Sequence, residues 1–351
     1  MPIETDYLLD VIPQEMGTNY HPVALQAQAI AARTYAYWHR ENGYPIINNS
    51  ASYQVFIPYK FESLPTATFP DDTSNPCASS NLNPNQQIIC GAVTSQKYIS
   101  FNGDLPAFSE FSADAQTRTQ SNATDRAGSP SPYLLGVEEP ISTTCDAENS
   151  GHGHGMSQEG ASRWARGNQC SYTGPGNQPW SVAWGRAEQI LVHYYTGVHI
   201  RDASATPLTS DYRWNPLSLT WSGSCPPLMT HGQSCTVTVR VQNTGISDWV
   251  CGQYTGYILS YRWAKAGQAE VNGASQVSLC NTNKGDPSPS ATLVINDIPN
   301  WGSGAYTLKL DMARTVSNSK AWFSTSYGWP SYDVSVCVDG SCKVSMPQIV
   351  R

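Results

Sequence analysis

Glu15 is the first residue whose type and setting could do chemistry. It follows the run Tyr7-Leu8-Leu9-Asp10-Val11-Ile12-Pro13-Gln14, which reads as an apolar, extended segment. A carboxyl group in a half-apolar pocket has its charged form disfavoured, so its pKa rises and it can serve as a general acid. Taken alone, Glu15 reads first as a surface or capping carboxylate. The second candidate is Gly151-His152-Gly153-His154-Gly155-Met156-Ser157-Gln158. The glycines let backbone approach a ligand closely. In an extended segment the two histidines would face the same side. Such a segment is a solvent-facing turn, a substrate-binding loop, or part of a metal site. A metal would require at least one more ligand, and Asp146 and Glu148 are the nearby candidates. Ser112 and Ser157 with these histidines raise the thought of a serine hydrolase. No Gly-x-Ser-x-Gly elbow occurs in the chain, and that reading is set aside.

The elements that must position these groups are readable in outline. A helix is predicted from His21 to Asn42. Pro22 sits in its first turn, where a missing N–H costs nothing, and Gly43 stops it. Val23, Ala24, Ala27, Ala31, Ala32 and Tyr35 give it an apolar face whose small residues admit a close neighbour. Residues 44–144 read as mostly extended and loop-rich, with strands at Ala92–Phe101 and Ala107–Ser112. Two more helices are predicted, Gln158–Arg166 and Ser181–Tyr195. Around 201–216 the pattern dissolves into Ser, Thr, Asp and Pro, which we read as a linker.

Three ordered motifs in residues 2–200 resemble the SpoIID/LytB-type domain of stage II sporulation proteins. They are Glu15-Met16 with Ala24-Leu-Gln-Ala-Gln-Ala-Ile-Ala-Ala-Arg-Thr-Tyr-Ala36, then Gly151-His-Gly-His-Gly-Met-Ser-Gln-Glu-Gly-Ala161, then Gln189-Ile-Leu-Val-His-Tyr-Tyr-Thr-Gly-Val198. Gln54-Val-Phe56, Phe111-Ser-Ala113 and Pro132-Tyr-Leu134 are weaker echoes. The resemblance implies an α+β catalytic domain over residues 1–200. It implies a peptidoglycan lytic transglycosylase that cleaves the MurNAc–GlcNAc bond and leaves a 1,6-anhydro sugar. It puts Glu15 in the role of single general acid and base. Gln28, Arg33, Gln54, Ser112, His152, His154, Ser157 and Gln158 would line the groove and hold sugars. No cofactor is expected. Some family members bind zinc through His and Cys near the Gln-Val-Tyr segment, but here that region is Asn48-Asn-Ser-Ala-Ser-Tyr-Gln54, with neither. The family's Gly-Gly-x-Thr is replaced by Gln116-Thr-Arg-Thr119, the Pro after Glu-Met by Gly17, and His154 stands where many relatives are apolar.

The whole-chain numbers fit an exported sugar-handling protein. The 351 residues suffice for two domains, with 40% hydrophobic and only 13% charged residues. A net charge of -7 without a basic cluster argues against nucleic acid as partner. No run is apolar enough to read as a transmembrane helix. The opening Met1–Tyr7 lacks the features of a signal peptide, so an exported chain would already have lost its leader. Ten cysteines divide four and six between the halves. Local pairing would give Cys77–Cys90, Cys145–Cys170, Cys225–Cys235, Cys251–Cys280 and Cys337–Cys342, although spacing does not fix connectivity. With no Cys-x-x-Cys present, an oxidising, extracellular or cell-wall location is expected over a zinc knuckle.

Residues 217–351 switch to period two, as in Thr236–Gln242, Tyr257–Trp263, Ala291–Ile295, Tyr306–Met312 and Asp333–Val338. Short strands at regular spacing read as an all-β immunoglobulin-like sandwich. Trp221, Trp249, Tyr254, Tyr257, Tyr261, Trp263, Trp301, Trp322 and Trp329 are either its core or a sugar-stacking surface. This domain would be a spacer or a wall-binding module. Two other functions compete with the enzyme: a degenerate SpoIID fold that binds glycan without cutting it, and a structural surface protein.

Overall fold

In the computed structural model, residues 1–45, 53–64, 70–72, 74–143, 149–170, 178–223, 225–317, 319–340 and 342 are described. The chain divides into two compact units, residues 1–178 with 183–208 and residues 179–182 with 209–351. The first mixes helices and short strands; the second is built almost wholly of strands.

In the first unit, a π-helical turn at Ile3–Tyr7 leads into α1 (Leu8–Glu15) and then α2 (Pro22–Glu41). The segment read as extended is therefore helical. Leu8, Leu9, Val11 and Ile12 fall on one helical face and are buried. That spacing outweighs Pro13, which removes one backbone bond near the end of so short a helix. Helix α2 begins and ends within a residue of expectation. Its cap is His21, whose ring accepts the amide of Val23, and Pro22 occupies the first helical position. Ala24, Ala27, Ala31 and Ala32 are fully buried. They let α1, α3 (Pro84–Val93) and the later helices close on α2.

Helix α3 was not foreseen. Its start is a capping box: Asn83 accepts the amide of Gln86, and the Gln86 side chain accepts the amide of Asn83. It takes Ala92 and Val93 from the expected strand, which shrinks to β1 (Tyr98–Ser100). The next expected strand shrinks to β2 (Phe111–Ser112). β2 runs parallel to β3 (Met156–Ser157), pairing Phe111 with Met156 and Ser112 with Ser157. Helix α4 (Gln158–Arg166) follows at once, as read from the sequence. Two very short strands, β4 (Asn168–Gln169) and β5 (Gln178–Pro179), precede α5 (Ala187–Tyr194), which is shorter than the expected 181–195. β6 (His199–Arg201) pairs antiparallel with β1.

The second unit holds two sheets. One runs β12 (Ala291–Ile295), β9 (Cys235–Asn243), β7 (Trp214–Trp221). The other runs β11 (Val271–Ser278), β10 (Thr255–Ala264), β13 (Gly304–Val316), β15 (Tyr332–Val338), β8 (Leu228–Met229), with β14 (Ser319–Trp322) also on β13. The stretch 201–216 read as a linker contains the end of β6 and the start of β7. The alternating valines of β9, Val237, Val239 and Val241, are fully buried, as are Leu308, Leu310 and Met312 of β13. Trp249, Tyr257, Tyr261, Trp263, Trp322 and Trp329 are buried too. They are core residues, which leaves Trp221 and Trp301 half-buried and Tyr254 exposed in the aromatic set named from sequence.

Disulfides Cys77–Cys90, Cys225–Cys235, Cys251–Cys280 and Cys337–Cys342 are present. Cys145 of the expected Cys145–Cys170 pair lies outside the described residues, as do Asp146 and Glu148.

Candidate functional site

Glu15 is the last residue of α1, where the chain turns away at Met16. The loop after Tyr53 crosses in front of it. That loop is fixed by Gln54, whose side-chain amide is bonded at both its oxygen and its nitrogen. Its oxygen accepts the hydroxyl of Tyr7 at 2.5 Å, and its nitrogen donates to the Ala32 carbonyl at 3.1 Å. Fixing Gln54 aims the next amide, Val55 N–H, at Oε1 of Glu15, 2.6 Å away. From the other side, Gln158 at the first turn of α4 donates to Oε2 of Glu15 at 3.4 Å, and lies 3.5 Å from the buried Gln28 oxygen. The Glu15 pKa is raised: burial dominates, opposed by the two hydrogen bonds from Val55 and Gln158.

Glu15, Gln54, Ser112, His152 and Gln158 line one cleft of about 290 Å³. All five are residues that the sequence singles out for the groove. Tyr35, Tyr53 and Glu110 also line it and are not among the site residues read from the sequence. Tyr35 lies on the α2 face already read as apolar, and burial pushes its hydroxyl up to about 12. Arg126 stacks over the Tyr53 ring at 3.8 Å. A larger cavity, about 430 Å³, includes Leu9, Asp10, Phe56 and Tyr59 and none of the expected site residues. Asp10 there is engaged by the amides of Tyr59 and Phe61, both at 3.0 Å.

The remaining expected residues sit elsewhere. Arg33 is fully buried and grips Glu4 through two nitrogens at 2.8 Å, with further bonds to the carbonyls of Val93 and Lys97. It holds the N-terminal turn to α2 rather than facing the cleft. Gln28 is fully buried behind Gln158. Ser157 caps α4 by accepting the amide of Gly160 at 2.9 Å. Ser112, though in the cleft, is spent on the histidine loop. It donates to the Ser150 carbonyl and accepts the Gly153 amide, both at 3.1 Å. Behind it, Asp114 makes a buried bidentate pair with Arg163 of α4 at 2.7 and 2.8 Å.

The histidine loop lies where β2 and β3 run side by side. Gly151, Gly153 and Gly155 all have positive φ. A side chain at Gly155 would collide with the Glu110 carbonyl oxygen, so glycine is required for this approach. His152 and His154 have ring centroids 5.0 Å apart. Nδ1 of His154 lies 3.5 Å from Oε2 of Glu110. Burial lowers the His152 pKa, with Glu110 opposing and His154 adding to the shift. The arrangement offers one acid held in a half-apolar setting, hydrogen-bonding amides beside it, and Glu110 and His152 on the same cleft, with His154 next to Glu110.

Comparison with known proteins places part of this architecture. The family model described as stage II sporulation protein, SpoIID, matches residues 1–94, which include Glu15, Gln28, Arg33 and Gln54. The match supports a SpoIID-type domain in the first unit. An uncharacterized protein of Brachyspira hyodysenteriae (strain ATCC 49526 / WA1) is 44% identical over 55 residues, 14% of this chain and 15% of that protein. Among solved structures, a β-glucosidase from Listeria innocua in complex with isofagomine is similar at 13% identity and a TM-score of 0.21. The same enzyme in complex with glucose is similar at 13% identity and a TM-score of 0.22. Each likeness covers 37% of this chain and 16% of that one, and is too slight to bear on the fold. The chain thus spans well under two thirds of the relatives it matches.

Proposed function

We propose that the first unit is a lytic transglycosylase acting on the glycan strands of bacterial peptidoglycan. The observation that carries this reading is the setting of Glu15: a carboxyl whose pKa burial raises, on a cleft, with both oxygens held. Ordinary glycosidases need two carboxylates, one as acid and one as base or nucleophile. A transglycosylase manages with one because the substrate supplies the nucleophile. Glu15 protonates the glycosidic oxygen of the MurNAc–GlcNAc bond as the C1–O bond breaks. The resulting carboxylate accepts the proton of the C6 hydroxyl as O6 bonds to C1. Glu15 thereby regains its proton, and the product is a 1,6-anhydro sugar.

Gln158 is the side chain we assign to sugar hydroxyls, and His152 lies on the same cleft. Gln54, Ser112, Ser157 and Arg33 act through the backbone they fix. We read the two sheets of the second unit as an immunoglobulin-like sandwich serving as a spacer or wall-binding module. Disulfides support a place outside the cytoplasm. Among the described residues, no helix is long and apolar enough to cross a membrane.

Glu110 on the same cleft favours a second reading, hydrolysis with Glu110 as the base. Product identity separates the two: anhydro ends mean transglycosylation, reducing ends mean hydrolysis. A Glu15→Gln variant inactive in both assays is expected under either reading, and an active one contradicts both.

A further inference from the structure

We propose that Glu110, His152 and His154 form a binding site for one borderline divalent transition metal, zinc foremost. One ligand atom of each lies within 4.8 Å of the other two. These are not the positions where the family resemblance puts zinc.

The fold builds this convergence. β2 and β3 pair Phe111 with Met156, so the residues just before each strand, Glu110 and Gly155, lie side by side. The amide of Met156 donates to the Glu110 carbonyl at 3.2 Å. On the far side, the amide of Gln120 donates to the Gly153 carbonyl at 2.8 Å. His154 is therefore held between two fixed backbone points, next to Glu110. Glycines of positive φ alternate with the histidines, which turns both rings into the same space.

The spacing suits a shared ion better than a hydrogen bond. His154 Nδ1 and Glu110 Oε2 are 3.5 Å apart. That is long for an N–H···O bond, which runs about 2.7–3.2 Å. Two ligands of a tetrahedral zinc with bonds of about 2.0–2.1 Å stand roughly 3.3 Å apart. His152 completes the set, with a ring nitrogen within 4.8 Å of the ligand atoms of the other two. Its Nδ1 accepts the His154 amide at 3.1 Å, a bond that metal ligation through this nitrogen would replace. The ring is further hydrogen-bonded to the Phe111 backbone. Oε2 of Glu110 accepts a hydrogen bond from the Asn122 side-chain Nδ2 at 2.8 Å, the outer partner that orients a ligating carboxylate. Two imidazoles and one carboxylate select zinc and its neighbours over calcium or magnesium, which favour all-oxygen sets.

Glu110 and His152 line the cleft that holds Glu15. Three protein ligands leave a coordination position for an oxygen of the bound molecule. This role rests on the proposed glycan reading; binding of the metal does not.

The test is titration of the chelator-treated, full-length protein with zinc by calorimetry, and with cobalt(II) by visible absorption. One equivalent is expected, with the absorption of nitrogen and oxygen ligation. His154→Ala, His154→Gln and Glu110→Gln should each weaken binding about 100-fold or more, and Asn122→Ala about 10-fold. Circular dichroism checks that each variant is folded. Glu15→Gln should bind metal as the parent does, so a failed transglycosylase reading leaves this result untouched. No uptake, or uptake unchanged by the folded His154 and Glu110 variants, overturns the site.

Discussion

The backbone amide of Val55 meets Oε1 of Glu15 at 2.6 Å across forty residues of chain. With Gln158 on the other oxygen, it opposes the burial that raises the Glu15 pKa, and burial wins. An acid that must carry its proton loses activity as pH rises through its pKa. The basic limb of kcat/KM should therefore lie above the ordinary glutamate value. The Gln158 bond favours the charged form, so its loss raises the pKa further. Gln158→Ala should move that limb to higher pH. A limb that stays put or moves lower contradicts the assignment.

Arg33 gives a test of structure against substrate binding. Its guanidinium is fully buried on Glu4 and two carbonyls. Arg33→Ala should cost about 2–4 kcal/mol of stability, chiefly because it leaves the Val93 and Lys97 carbonyls without their donor. Urea unfolding measures it. A stable variant with only a raised KM would return Arg33 to the groove.

Gly155→Ala should be far worse than Gly43→Ala. Both positions have φ near +70°, so both substitutions incur about 1–2 kcal/mol of left-handed strain. A side chain at 43 meets nothing within 4 Å, whereas one at 155 collides with the Glu110 carbonyl. Gly43→Ala is expected to cost the strain alone. Gly155→Ala should at least double that loss and displace the histidine loop. Thermal unfolding of the two variants decides; equal losses would contradict the packing argument.

The Cys77–Cys90 bridge ties α3 to the segment before it, at a sequence separation of 13. Replacing both cysteines by serine should lower stability by about 3 kcal/mol, the loop-closure value for a loop of that size. Denaturant unfolding with and without reductant tests this. Identical curves for parent and double variant under oxidising conditions would exclude a stabilising role.

How much of this was legible follows the range of each signal. Helices α2 and α4 announce themselves through Pro22, Gly43 and Ser157, all local. Helix α1 was misread because Leu8-Leu9-Asp10-Val11-Ile12 is short enough to suit strand or helix. The start signal of α3, Asn83-Pro84 with Gln86, was present but lay within a Pro- and Asn-rich stretch. At the site, residue identities were readable but roles were not. Nothing in the spacing shows that Gln54 is tied to Tyr7 and Ala32, or that Arg33 faces Glu4. Glu110 was invisible as a neighbour of His154 because only the β2–β3 pairing brings them together. In the second unit, period two marked the strands, but the packing of Trp249 on Phe323 and of Trp263 on Tyr306 joins residues far apart in sequence.

The most direct test of the central claim is mass spectrometry of purified glycan strands, with and without stem peptides, after incubation with parent protein and with Glu15→Gln. The account expects 1,6-anhydro products from the parent on at least one substrate and none from the variant. Anhydro products from both proteins, or none from a parent that nonetheless binds the strands, would contradict it.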